Sequence, residues 1–244
     1  MPEMNEKWSL PLAYRTSRQA IRPYARATRD PLRGRVTVNE LAFGHMMSMS
    51  QFGEDALLAE IFRDRPDGFY VDVGALDPFL GSNTHMLFRR GWRGINIETQ
   101  PDQLALFNKH RPNDVNLATA ISQTPGTAQL LLDGSFSGLD TDRHQWRGDN
   151  RRPSIEVRVE TLASVREQNL PPGTEIDLLD VDCEGHDADV LLSNDWSRFR
   201  PQVVLAECHG GAREGEDPTD ILLARGYTLM SQLGPTGHLR PNGS

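Results

Sequence analysis

The chain has 244 residues, of which 37% are hydrophobic and 25% are charged, and its formal net charge is −8. No stretch approaches the ~20 apolar residues that a membrane-spanning helix requires, and the N-terminus lacks the uncharged apolar run of a secretory signal. Two cysteines, Cys183 and Cys208, are too few for a disulfide scaffold, so the composition predicts a folded protein of the reduced cytoplasm and excludes membrane, collagen-like and wholly disordered classes.

Residues 1–49 are predicted to be a basic arm. The first 35 residues carry eight Lys or Arg against three acids, whereas residues 36–244 carry 18 basic and 31 acidic residues. Arg and Pro occur in the arm without a sustained period, so we expect a helical or irregular extension. It could contact an anionic surface, the acidic body of the protein, or a second copy in a homo-oligomer. Because the body is acidic and repels phosphates, no nucleic-acid partner is expected.

From residue 50 to residue 244 the pattern is that of one α/β domain. A helix with Ser50 as its N-cap precedes a strand at 69–75. Helices then alternate with strands along the chain, with helices at 82–91 and 101–111 and strands at 93–98 and 115–121. Alternation with short connections predicts parallel strands joined by right-handed crossovers.

The middle of the chain departs from this alternation. Two strands, at 127–133 and 154–161, are predicted to face each other across a long polar loop at 134–153. Loops of this length in compact domains are usually functional or disordered, and Phe136 and Trp146 in this loop could stack on a sugar ring or a flat acceptor, or simply pack. The alternation then resumes with strands at 175–182 and 202–208, helices at 185–194 and 217–226, and two final strands.

Acidic residues crowd the predicted carboxyl ends of the strands, where ligands bind in an open parallel sheet. They are Asp72, Glu98, Asp180, Asp182, Glu184 and Glu207. Glu98 ends the second strand at the position where a dinucleotide fold places the carboxylate that binds ribose hydroxyls. The sequence therefore predicts a ligand that contains a ribose.

The turn that begins at Gly74 argues against a dinucleotide. It reads Gly-Ala-Leu-Asp-Pro, without the second glycine that lets a backbone approach a pyrophosphate, and Asp72 and Asp77 would repel a diphosphate. S-adenosylmethionine has a ribose, an adenine and two cationic centres but no phosphate, so acidic strand ends suit it. The alternatives are an NAD- or nucleotide-sugar-linked Rossmann enzyme and a non-catalytic partner subunit. The acid-rich segment 180–187 disfavours the second, because an inactive relic has no need to bury like charges together.

Several separate segments resemble the FkbM family of S-adenosylmethionine-dependent methyltransferases. They are SQFGEDALL at 50–58, GFYVDVGALDPFLGSNT at 68–84, RGWRGINIETQPDQL at 90–104, RP.D.NLATAIS at 111–122, IDLLDVDCEGHDADVL at 176–191 and RPQVVLAE at 200–207. The resemblance implies the Rossmann-like class I methyltransferase fold, a seven-stranded, mostly parallel sheet with one antiparallel edge strand. It also implies methyl transfer to a hydroxyl of a sugar, glycan or natural product.

The resemblance further implies a cofactor site built from four segments that follow strands or begin a helix. These segments contribute Asp72, Gly74, Ala75, Ser82, Asn83, Thr84, Glu98, Ala120 and Ser122. Glu98 would bind the ribose, and Ala120 and Ser122 would border the adenine. Asp182 would face the methionine amine or the reacting methyl group, and Gln51 would cover the cofactor from the N-terminal side.

An alcohol acceptor must lose a proton, so a general base is expected, and the candidates are Asp182, Glu184, His186 and His209. In the version that we favour, His186 or Glu184 acts as the base without a metal. In the other version, Asp182, Glu184, Glu207 and His209 form an oxygen-rich site for Mg²⁺ that acidifies the acceptor. No spacing in the sequence requires this metal site.

Overall fold

The computed structural model describes residues 48–132, 137–139, 153–208 and 217–243. Residues 1–47 of the predicted arm, Phe136 and Trp146 of the predicted loop, and His209 lie outside these ranges. The helices are α1 (Glu54–Ile61), α2 (His85–Arg89), α3 (Pro101–His110), α4 (Leu162–Asn169), α5 (Asp187–Leu192) and α6 (Pro218–Ala224). The strands are β1 (Phe69–Val73), β2 (Arg93–Ile97), β3 (Val115–Leu117), β4 (Ala120–Ile121), β5 (Gly126–Leu131), β6 (Gly138–Leu139), β7 (Ser154–Glu160), β8 (Leu178–Val181), β9 (Val203–Glu207), β10 (Tyr227–Leu233) and β11 (Thr236–Pro241). None of the helices in these ranges has both the length and the apolar composition needed to cross a bilayer.

Within the described residues, the main sheet has seven strands in the order β10-β11-β9-β8-β1-β2-β3, which confirms the predicted fold class. Strands β3, β2, β1, β8 and β9 are mutually parallel, and β11 is antiparallel to both of its neighbours. The prediction that the antiparallel strand lies at the edge is wrong, because β11 is second from the edge. The tight turn after β10 forces β11 to return alongside it, and β11 therefore fills the gap between β9 and the edge strand β10.

The sheet is buried on both faces, as expected for a parallel sheet whose strands are nearly continuous apolar runs. Val71 and Val73 of β1 pack in one hydrophobic cluster with β8, β9 and α5, whereas Tyr70 packs on the opposite face with α1 and α2. Side chains alternate along a strand, so Asp72 lies on the same face as Tyr70. The apolar residues thus hold the strands, and one face of the sheet carries a polar residue near the carboxyl end of β1.

A second, four-stranded sheet has the order β4-β7-β5-β6. The antiparallel pairing of β5 with β7 agrees with the predicted facing strands. The single strand predicted at 115–121 is wrong, because β3 stays in the main sheet whereas Ala120 and Ile121 pair in parallel with β7. Strand propensity does not say which partner a strand takes, and here β7 offers a second partner. The small sheet forms one wall of the site described below.

Helix α1 begins later than predicted. Its N-cap is Gly53, with φ 96°, rather than Ser50. The Ser50 hydroxyl still accepts hydrogen bonds from the backbone N–H groups of Gly53 and Asp55, each at 3.2 Å. Helix α4, which the sequence analysis did not predict, has Thr161 as its N-cap, and the hydroxyl oxygen of Thr161 accepts the N–H of Ser164 at 3.1 Å.

Candidate active site

A cavity lies beyond the carboxyl ends of β1, β2 and β8, with the small sheet as its far wall. Of the predicted cofactor residues, those that line it are Gln51, Asp72, Gly74, Ala75, Ser82, Asn83, Glu98, Ala120 and Asp182. Of the other candidate catalytic residues, Glu184 and His186 line it as well. Residues predicted from separate segments therefore share one concave surface, although their individual roles stay predictions.

Asp72 and Asp180 face each other across neighbouring strands at the floor of this cavity. They are register partners in the β1–β8 pair, and they are 5% and 4% exposed. Thr84 donates to Asp72 Oδ2 at 2.6 Å, and Asn83 donates to Asp180 Oδ1 at 3.2 Å. Burial raises the pKa of Asp72, and burial together with the Asp72 charge raises the pKa of Asp180 well above its usual range. A positive charge placed here would be strongly favoured.

Asp182 and the turn that follows it form the next part of the wall. The N–H of Asp182 still donates to Val73 at 3.0 Å, but β8 ends at Val181. Glu184 then adopts a left-handed φ of 49°, and His186 is the N-cap of α5. The Asp182 side chain is solvent-exposed within the cavity, and desolvation by the surrounding protein, followed by the charges of Asp187, Glu207 and Glu184, raises the pKa of its carboxyl group. A carboxylate of raised pKa is a stronger base than an ordinary one.

Gly74 lets the ends of β1 and β8 approach closely. It has a φ of 81°, and a Cβ on it would lie 1.9 Å from the carbonyl oxygen of Asp182. Its N–H and that of Ala75 both donate to Ile97 O, at 3.0 and 3.2 Å. The close approach of these two strand ends therefore requires glycine at this position.

Glu98 follows β2 and is 5% exposed. Its Oε2 accepts the N–H of Leu76 at 2.9 Å, and its Oε1 accepts the N–H of Gln100 at 2.7 Å. Burial raises the pKa of this carboxyl, and these backbone hydrogen bonds oppose the rise. The side chain is thus held in one position at the cavity wall, with its remaining lone pairs available to a ligand.

Gln51 reaches the cavity because Asp55 anchors the segment before α1. The buried Asp55 carboxylate accepts the N–H of Met49 at 2.6 Å and the hydroxyls of Ser48 and Ser50 at 2.8 and 2.9 Å. Met49 O in turn accepts the N–H of Gly81 at 2.7 Å, which joins this segment to the loop after β1.

Three predicted site residues do not line the cavity in the part of the chain that the structure describes. Thr84 is fully buried between Asp72 and Arg111. Ser122 follows β4 out of the main sheet, and its N–H donates to Glu160. Glu207 lies one strand farther along, level with Thr236 of β11. The fourth candidate, His209, lies outside the described residues.

The metal hypothesis gains no support from the described residues. Within those ranges, no group of three or more His, Cys, Asp or Glu side chains is arranged to hold a metal ion. His209, which was part of the proposed set, is not covered by that statement.

The structure adds a buried cation that the sequence analysis did not single out. Arg111 follows α3 and is 1% exposed behind the cavity. Arginine is rarely buried, so composition and periodicity give no signal for such a position. The available signal was its place at the start of RPNDVNLATAIS, one of the segments that resemble the family.

Comparisons with known proteins place the chain in a family. No curated protein matches it. A solved structure, a TehB-like SAM-dependent methyltransferase from Corynebacterium glutamicum, aligns at 13% identity and a TM-score of 0.39, covering 89% of this chain and 98% of that one, a similarity too low to bear on function. The model of the methyltransferase FkbM domain matches residues 72–229, well over half of the chain. The chain therefore belongs to the FkbM methyltransferase family.

Proposed function

We propose that the protein uses S-adenosylmethionine to methylate a hydroxyl of a sugar, glycan or natural product. The observation that carries this proposal is the acidic lining of the cavity. Five carboxylates line it, from Asp72, Glu98, Asp180, Asp182 and Glu184, and no Lys or Arg is present among its described lining residues. Family membership supplies the reaction class, and the acidic cavity supplies the reason for a cationic donor.

The residues present fit the parts of S-adenosylmethionine. Glu98 would hold the ribose hydroxyls, and the aspartates of β1 and β8 would face the amino group and the sulfonium. An apolar patch made by Ile97, Ala120 and Leu139 would receive the adenine. When bound, this cofactor supplies a methyl group on a positively charged sulfur, open to displacement by an oxygen in line with the leaving group.

The chain's own contribution is to position the acceptor and to accept its proton. Because the donor is already activated, near-attack geometry and exclusion of water are the main requirements. Glu184 and His186 follow β8 and line the cavity, where a bound acceptor could meet them. We propose that one of them is the general base, and that no metal ion is needed.

An NAD-linked reaction fits the cavity less well. Leu76 occupies the place where a dinucleotide turn has its second glycine, and it has a left-handed φ of 49°. The Leu76 side chain and the aspartates of the floor would meet a pyrophosphate with bulk and negative charge.

Calorimetric titration of the whole protein tests the proposal. S-adenosylhomocysteine should bind in the micromolar range, and NADH should give no heat of binding. The reverse result would contradict the proposed cofactor. With methyl-labelled S-adenosylmethionine and a panel of sugars, polyols, amines and thiols, the label should be recovered as methyl ethers. Label recovered only on nitrogen or sulfur would overturn the choice of oxygen as the acceptor.

A further inference from the structure

Arg111 lies at the centre of a buried polar network behind the cavity. Its Nη1 donates to Thr84 Oγ1 at 2.8 Å and to Tyr70 Oη and Asn96 Oδ1, each at 3.2 Å. Its Nη2 donates to Pro78 O at 2.7 Å and to Ser82 Oγ at 2.9 Å. The planar, five-donor guanidinium can satisfy so many acceptors at once, whereas an ammonium group cannot.

Two of these acceptors bracket the loop that forms one side of the cavity. Pro78 and Ser82 are the points where Arg111 binds the loop, and Leu80 and Gly81 between them line the cavity. The contacts span about thirty residues of sequence, from the loop after β1 to the end of α3. The guanidinium therefore fixes this wall relative to the sheet.

A third acceptor connects Arg111 to the cavity floor. The Thr84 hydroxyl accepts from Arg111 and donates to Asp72 Oδ2 at 2.6 Å, so one hydroxyl links the buried cation to the carboxylate. The hydrogen bond fixes one oxygen of Asp72, and the residue lines the cavity.

The charged surroundings of Asp72 come from several elements. The titratable and charged groups near it are Arg111, Asp114, Tyr70, Asp180 and Cys183, and Glu54 lies beyond Asp180. Burial raises the pKa of Asp72, while the Thr84 hydrogen bond and the Arg111 charge lower it. Loss of either partner should therefore leave Asp72 protonated over a wider range of pH.

We propose that Arg111 is a positioning residue for the cofactor site, which holds the loop from Pro78 to Ser82 as a wall and, through Thr84, orients the Asp72 carboxyl group at the cavity floor. The inference rests on the proposed function, since it assumes that the ligand of the cavity is cationic. Arg111 would thus affect ligand binding through the residues that it positions, without contacting the ligand itself.

Thr84→Val is the sharpest test, because it keeps the side-chain shape and leaves Arg111 in place. The affinity for S-adenosylhomocysteine, measured by calorimetry, should fall about tenfold at neutral pH, since a hydrogen bond to a charged group is lost. The ratio of variant to wild-type dissociation constants should grow as the pH is lowered, because Asp72 then protonates earlier in the variant.

Thr161→Val is the matched control. It removes a half-buried hydroxyl that caps α4 and is not part of the cavity lining, and it should lower the melting temperature without changing the affinity or its pH dependence. If Thr84→Val also loses only thermal stability, with an unchanged pH profile of binding, Arg111 and Thr84 are structural residues and the inference is wrong.

Arg111→Lys gives a second readout. The positive charge remains but the fork is lost, so the KM for S-adenosylmethionine should rise more than about tenfold, with the KM for the acceptor nearly unchanged. Equal effects on both KM values would contradict a role confined to the cofactor wall. Failure of the wild-type protein to bind S-adenosylhomocysteine at all would instead contradict the proposed function, so the two failures are distinguishable.

Discussion

The buried acids at the two ends of strand β8 have opposite kinds of neighbours. At the amino end, Asp177 accepts the N–H of Phe69 at 2.9 Å and pairs with the side chain of Arg65. At the carboxyl end, Asp180 has Asn83 as a neutral hydrogen-bond partner and faces the charges of Asp72 and Glu54. Burial raises the pKa of both residues, but Asp177 has the Arg65 charge to oppose the rise, whereas the charge of Asp72 raises the pKa of Asp180 further.

This difference distinguishes a buried acid that stabilises the fold from buried acids that we assign to ligand binding. A buried charge is tolerated in a fold when it is paired, and like charges buried together are costly. Asp180 at the carboxyl end is buried beside like charges, an arrangement that the fold alone does not favour. Under the proposed function, a cationic ligand in the cavity would supply the missing partner, and this is our reason to place the function at this end.

The largest effect is expected at Asp182. Asp182→Asn should lower kcat by about 10²-fold or more, because the negative charge expected to face the reacting methyl group is lost even though the general base remains, while the melting temperature stays unchanged or rises. The measurement is single-turnover methyl transfer combined with thermal unfolding. Asp189→Asn, in the same segment but outside the cavity lining, is the control and should keep wild-type turnover. Wild-type turnover in Asp182→Asn would remove this residue from the site.

A smaller effect is expected at Glu98. Glu98→Ala should weaken binding of S-adenosylhomocysteine by about 10- to 100-fold, since a buried carboxylate that accepts hydrogen bonds is removed from the ribose side of the cavity. Because this interaction is with the ground state as well, kcat at saturating cofactor should change little. Glu98→Gln keeps the side-chain shape and one acceptor, so its dissociation constant should lie between those of the wild type and Glu98→Ala. An unchanged dissociation constant in Glu98→Ala would place the ribose elsewhere.

Asp180→Asn should stabilise the ligand-free protein while lowering its affinity for the ligand. It removes a repelled charge and keeps an acceptor for Asn83, so the free energy of unfolding should rise by about 1 kcal/mol. The raised pKa of Asp180 in the folded protein sets the direction in which the free energy of unfolding changes with pH. The wild-type free energy of unfolding should decrease as the pH rises from the ordinary carboxyl range through the raised value, and the variant should lose part of this decrease. Chemical denaturation at several pH values measures it. A less stable variant would contradict the unfavourable charge.

Asp177→Ala tests the other end of the same strand and should have the smallest functional effect. The free energy of unfolding should fall by about 1 kcal/mol, because the N–H of Phe69 loses its acceptor. The affinity for S-adenosylhomocysteine should not change. A loss of affinity as large as that of Glu98→Ala would show that the two ends are not independent.

Local sequence patterns predicted the parts of the fold that depend on neighbours in the chain. Strand β1, helix α3 and the position of Glu98 at the end of β2 follow from apolar runs and from Pro101 at a helix start. The sequence also predicted the crowding of acids at the carboxyl ends of the strands, because parallel strands bring these ends to one edge of the sheet.

Contacts between distant segments could not be predicted from the sequence. The 115–121 segment divides between two sheets because β7, more than thirty residues later, pairs with Ala120 and Ile121. The place of β11 depends on the gap beside β9. Arg111 acquires its role from Pro78, Ser82 and Thr84, and no periodicity in the sequence links these positions.

A crystal structure of the protein with S-adenosylhomocysteine tests the central claim most directly. The ligand should occupy the cavity with its ribose hydroxyls at Glu98 and its amino group among the aspartates at the ends of β1 and β8. A ligand bound outside this cavity, or one whose amino group points away from those aspartates, would contradict the claim that the acidic end of the sheet exists to hold a cationic methyl donor.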